Sequence, residues 1–173
     1  MKEPLPIIIA SLSSINLSNI SDDKAPVTIN PGRFTVETVT YRLPRVVQGT
    51  YSVSDFGKYV DDFKAFDYKG NEMTVTNVDT NTWTIANGKK LDRITYTVDD
   101  TFDGDEGSDV YPMGGTKIEK DEVFLLNLHG MVGYFKGGKE WAYHVTIDSP
   151  ADLVPFSSME RISHTATQDV FRA

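Results

Sequence analysis

From Trp141 to Asp148 the chain alternates without a break. Trp141, Tyr143, Val145 and Ile147 are apolar, and Ala142, His144, Thr146 and Asp148 stand between them. Successive side chains of a strand point to opposite faces, so this run specifies one buried face and one wetter face. Ile94, Tyr96 and Val98 repeat the pattern against Thr95 and Thr97. Ser11 to Leu17, Val27 to Ile29, Phe34 to Leu43, Val60 to Asp67 and Thr82 to Ala86 read as further short strands, as does Leu5 to Ala10. A phase shift near Glu37-Thr38 is expected to be a β-bulge. Turn clusters separate the runs: Asn30-Pro31-Gly32, Lys69-Gly70-Asn71, Asn87-Gly88 and Gly137-Gly138-Lys139. Met73 to Val78 is expected to pair back on Val60 to Asp67 through the Lys69 turn. One segment carries a helical period, with Phe56, Val60 and Phe63 at i, i+4 and i+7. Gly57 weakens it, leaving a short helical turn near Ser54 to Lys58.

Many short strands at regular intervals predict an all-β, mainly antiparallel, β-sandwich-like domain with one short helical segment. Thr101 to Lys120 departs from the pattern. It holds four glycines and several acids with few apolar residues, and is expected to form a long acidic loop. Residues Val123 to Phe135 return to apolar character, broken by Gly130 and Gly133. His129 is expected in a loop, and the tail after Leu153 has weak patterning. A length of 173 residues, without a repeat or linker, predicts one domain over residues 1–173.

The net charge of −8 and pI near 4.8 oppose contact with a phosphate backbone, so no nucleic acid is expected as a partner. The absence of cysteine excludes disulfides and thiolate chemistry. No stretch reaches the roughly 18 apolar residues of a membrane span. The start, Met1-Lys2-Glu3-Pro4, lacks the cationic region and longer apolar run of a signal peptide.

Catalytic motifs are missing. The three histidines, His129, His144 and His164, never fall four apart as a zinc peptidase helix requires. No serine stands in a nucleophile elbow. Gly114-Gly115-Thr116-Lys117 resembles only the end of a phosphate loop. The acids Asp99, Asp100, Asp103, Asp105, Glu106 and Asp109 are dense enough to suggest calcium, but their spacing is not that of an EF-hand, and a solvated loop is the reading adopted. Trp83 and Trp141 are assigned to the core rather than to a sugar platform.

Several pieces, in order, resemble the N-terminal domain of the bacterial glycyl-aminopeptidase-like zinc peptidases, the sixty-first metallopeptidase family, whose members typically carry a PDZ domain. They are Val39-Thr40-Tyr41-Arg42-Leu43-Pro44, Gly49-Thr50-Tyr51-Ser52, Asp55-Phe56-Gly57-Lys58-Tyr59-Val60 and Phe63-Lys64-Ala65-Phe66-Asp67. Asp79-Thr80-Asn81-Thr82-Trp83, Ile94-Thr95-Tyr96-Thr97-Val98, Asn127-Leu128-His129-Gly130 and Gly133-Tyr134-Phe135 follow, so the match spans roughly residues 39 to 148. Gln48 departs from the proline that the family usually places before its glycine.

The resemblance implies a non-catalytic N-terminal domain of a zinc aminopeptidase, without a catalytic residue or metal ligand of its own. Zinc belongs to a catalytic domain absent from this chain. That domain, in the same polypeptide, is the expected partner, with peptide substrate as a further one and the bacterial periplasm or cell envelope as the implied location. The chain is then a piece of a longer protein; a free-standing product that lost its protease is the other option. The expected contribution is to pack on the catalytic domain and shape substrate access. Gln48, Gly49, Thr50 and Tyr51 form the candidate cleft-facing loop, because a glycine turn lets backbone approach a ligand. The alternative is a stand-alone β-sandwich binding module for carbohydrate or a surface partner.

Overall fold

The computed structural model describes residues 11–103, 110–120, 122–138 and 141–172. Along the chain come β1 (Ser11–Asn16), β2 (Lys24–Asn30), β3 (Thr38–Arg42), β4 (Val60–Asp67), β5 (Val75–Asp79), β6 (Thr82–Ala86) and β7 (Leu91–Asp99). Then follow β8 (Lys117–Glu119), β9 (Val123–Leu125), the single-turn helix α1 (Leu128–Met131), β10 (Tyr134–Phe135), β11 (Tyr143–Asp148), β12 (Glu160–His164) and β13 (Gln168–Arg172). Seven strands form one sheet in the order β12-β13-β11-β1-β2-β7-β4; a second sheet runs β10-β3-β6-β5, and β8 pairs with β9 alone. Pairing is antiparallel except for β1 with β11. The architecture is the all-β, sandwich-like one that the alternation predicts.

The two sheets meet through aromatic side chains. Phe63 of β4 stacks on Trp83 of β6 at 4.7 Å and on Tyr96 of β7 at 5.6 Å. Val27, Ile29 and Val98 from the large sheet join Val39, Tyr41 and Ile85 from the small one in a single buried cluster. A chain of hydrogen bonds runs through this apolar layer. The Gly133 amide donates to the Tyr41 oxygen at 2.7 Å, the Tyr41 and Tyr96 hydroxyls bond at 2.8 Å, and Tyr96 donates to the Met131 carbonyl at 2.7 Å. Both buried tyrosine hydroxyls are thus paired. Burial pushes both phenols well above their ordinary pKa, so the network stays neutral.

Several sequence expectations need correction. β5 pairs with β6 in the small sheet, not with β4 in the large one. The two sides of the Lys69 turn are joined just at its mouth, by a Phe66–Glu72 bridge, the Asp67 amide to the Asn71 carbonyl and the Met73 amide to the Ala65 carbonyl. The turn itself forms as expected: Gly70 has φ +82° and the Asp67 carboxylate accepts the Lys69 and Asn71 amides. Alternation specifies which residues share a face but not which sheet receives them. The strand expected from Phe34 begins at Thr38, in place of the bulge; Phe34 instead packs on Phe135 at 5.1 Å and Trp141 at 5.7 Å. The helical turn spans Phe56–Tyr59 as a 3-10 helix, one to two residues later than expected. His129 lies on α1, not in a loop. The weakly patterned tail forms β12 and β13, because pairing with β11 supplies order that its composition does not announce.

The segment expected to be one long loop is partly built. The buried Asp100 carboxylate accepts the Phe102 and Ile118 amides, both at 2.6 Å, and so ties the end of β7 to β8. Val110 and Ile118 enter the core. Asp105, Glu106 and Asp109, half of the acidic run considered for calcium, lie outside the described residues, as does the strand expected at Leu5 to Ala10. Among the described residues, no helix is long and apolar enough to cross a membrane.

Candidate functional site

Between β3 and the Phe56–Tyr59 turn the chain makes an excursion that returns to its starting point. The Arg45 carbonyl accepts both the Ser54 amide at 2.8 Å and the Asp55 amide at 3.0 Å. The same two residues are joined through their side chains, Arg45 Nε to Asp55 Oδ1 at 2.9 Å. Asn81, in the tight turn between β5 and β6, donates from Nδ2 to that Asp55 oxygen at 2.7 Å and accepts the Gly57 amide on its Oδ1 at 2.9 Å. Three side chains distant in sequence therefore clamp the foot of one loop. The Arg45 guanidinium, with the Asn81 amide, holds the Asp55 carboxyl below its usual pKa. Gly57 is required at this foot, because a Cβ there would overlap the Thr80 carbonyl.

The four candidate residues sit at the tip. Gln48 is exposed, and Gly49 has φ +92° with open space where a Cβ would stand. Thr50 is buried; its amide and hydroxyl both donate to the Val47 carbonyl, closing the turn. Tyr51 is 100% exposed and adopts φ +55°. A bulky side chain in the left-handed region costs energy and is held there by its surroundings. The loop thus spends strain to present an aromatic ring to solvent.

Beside the clamp lies an open groove of about 550 Å³ lined by Arg42, Arg45, Asp55, Asp79, Asn81 and Tyr134, among others. Its walls carry both signs of charge. Sequence reasoning proposed the loop from its glycine; Asp55 and Asn81 entered that reasoning only within the family resemblance, with no role in the loop, and Arg45 not at all. No local pattern marks them, since their bonds form only after β3 and the β5–β6 turn come together.

Other candidates lie elsewhere. His144 is on β11, and His164 on β12 bonds Asp169 at 2.9 Å. Among the described residues no group of three or more His, Cys, Asp or Glu side chains could hold a metal. Trp83 is in the core, while Trp141 is half-buried against Phe34 and Phe135. Gly115 does not line a phosphate loop; a Cβ there would meet the Phe102 ring at 2.5 Å.

The chain resembles the crystal structure of an aminopeptidase N family protein from Idiomarina loihiensis, with a TM-score of 0.75 over 94% of this chain at 19% identity. At that identity the likeness speaks for the fold. The chain spans 27% of that protein's length. No curated protein matches the chain. The family model described as Peptidase M61 N-terminal domain matches residues 13–173, nearly the whole sequence. The chain therefore belongs to the Peptidase M61 N-terminal domain family.

Proposed function

We propose that this domain is a non-catalytic part of a zinc aminopeptidase, packing on the catalytic domain and shaping access of peptides to its cleft. Zinc would be held by that domain and not by this one. The observation that carries the reading is the clamped loop: a fully exposed Tyr51, held at positive φ above a foot bonded to Arg45, Asp55 and Asn81. A tyrosine at such a tip offers a large amphipathic contact with few rotatable bonds to order on binding. Gln48 and Gly49 would bring backbone beside the peptide, and Thr50 would fix the turn.

The test uses the parent peptidase with Tyr51→Ala, assayed on peptides of increasing length. Selection by length should change several-fold in kcat/KM, while the shortest substrate keeps its kcat. An unchanged length profile would remove the loop from the cleft. Zinc-dependent peptidase activity from residues 1–173 alone would overturn the non-catalytic reading.

A further inference from the structure

A second surface differs in chemistry from the loop. A groove of about 460 Å³ runs between residues 122–128 and residues 153–159, with Leu17, Ile147 and Phe171 among its lining. Among the described residues that line it, Glu122 alone is charged, in a protein of net charge −8. Its rim is apolar and open: Val154 is 94% exposed, Phe156 97%, and Leu125 58%. Charge depletion around an exposed aromatic is the composition of an interface core, not of ordinary surface.

The segment 153–159 carries an independent signal. Exposure alternates along it, with Leu153, Pro155, Ser157 and Met159 half-buried and Val154, Phe156 and Ser158 exposed. Both faces hold apolar side chains. A segment that is apolar on both faces is the pattern of one covered on both sides. Here one side rests on this domain and the other meets solvent.

We propose that this groove and the outer face of 153–159 dock the polypeptide that follows this domain in the parent peptidase, with Phe156 as the anchor. The inference rests on the reading of the chain as an N-terminal peptidase domain and names the surface through which it packs. Three observations favour that occupant over a separate protein or a second copy. The family places this domain N-terminal, and a structural relative is nearly four times as long as the matched part. The groove is lined by Phe171 of β13, the last strand, so the connection leaves from beside it. A covalently tethered partner binds at a high effective concentration, so a modest apolar patch suffices. The patch also reaches the clamped loop. Thr50 packs over Gly114, the Asn127 side chain bonds the Gly114 carbonyl, and the next residue, Leu128, lines the groove. One docked body would therefore meet the apolar groove and stand beside Tyr51.

The test places the photo-crosslinker p-benzoylphenylalanine at Phe156 in the full-length parent, and at Val78 on the edge strand β5 as a control. Both side chains are exposed, so neither replacement disturbs the fold. Crosslinks from position 156 to residues beyond 173, at least tenfold over position 78, are expected. Crosslinks from 78 and not from 156 would leave the packing reading intact and overturn this surface. Crosslinks from 156 only within residues 1–173, or between two copies, would also overturn it. Failure at both positions, with the two parts released independently by limited proteolysis, would overturn the packing reading itself.

Discussion

Aromatic side chains do opposite work in two regions of this domain. Between the sheets, Tyr41, Phe63, Trp83, Tyr96 and Phe135 pack ring to ring, and both tyrosine hydroxyls have partners inside the protein. At the rim, Tyr51 and Phe156 touch almost nothing. The core rings are held by many neighbours and contribute to stability. The rim rings cost a little and are available for another molecule. The difference teaches that aromatic content alone says nothing about binding; the surroundings of each ring decide its part.

Mutations can break that comparison. Phe135→Ala removes a ring that packs on Phe34, Tyr41 and Trp141, and should destabilise the domain by about 3–5 kcal/mol in urea unfolding. Tyr41→Phe keeps the ring but leaves the Gly133 amide without its acceptor; about 1–3 kcal/mol should be lost, with the fold retained. If this variant unfolds as easily as wild type, the hydrogen-bond chain contributes nothing.

At the rim the expected effects are smaller. Asp55→Asn weakens an ion pair that is partly exposed, so the loss should be at most about 1 kcal/mol after solvent screening. Its pH dependence has a definite sign. The Asp55 carboxyl titrates lower in the folded state than in the unfolded chain. Its contribution is therefore fully present above the unfolded value, about 3.9, and fades as pH falls through the folded one. The gap in melting temperature between wild type and Asp55→Asn should be open at pH 6 and close as the pH drops below that range. A gap that persists in strong acid would assign the effect to Asn81 packing instead. Tyr51→Gly relieves positive φ and should leave stability unchanged or raise it by up to about 1 kcal/mol, while removing the ring the proposed cleft needs. Phe156→Ser should change the stability of residues 1–173 by no more than about 0.5 kcal/mol. A larger loss would show that Phe156 belongs to this domain's own core.

The sequence marks several of the strands, though not β12 and β13 of the tail. Period-two alternation is a local property, and at Ile94–Val98 its apolar residues are the buried ones; at Tyr143–Ile147 only Val145 is buried, so there the pattern marks a strand without marking a buried face. The sequence by itself also determined the turns at Gly70 and Asn87, where backbone conformation restricts the residue type. Tertiary structure alone decided that β5 leaves β4 for the other sheet, and that the plain tail Gln168–Arg172 becomes a strand beside β11. It alone brought Arg45, Asp55 and Asn81 to one loop foot and left Tyr51 outside. The physical reason is common to these cases. Alternation and turn chemistry act between near neighbours in the chain, whereas sheet partners, clamps and exposure depend on contacts between distant segments, which no local pattern encodes.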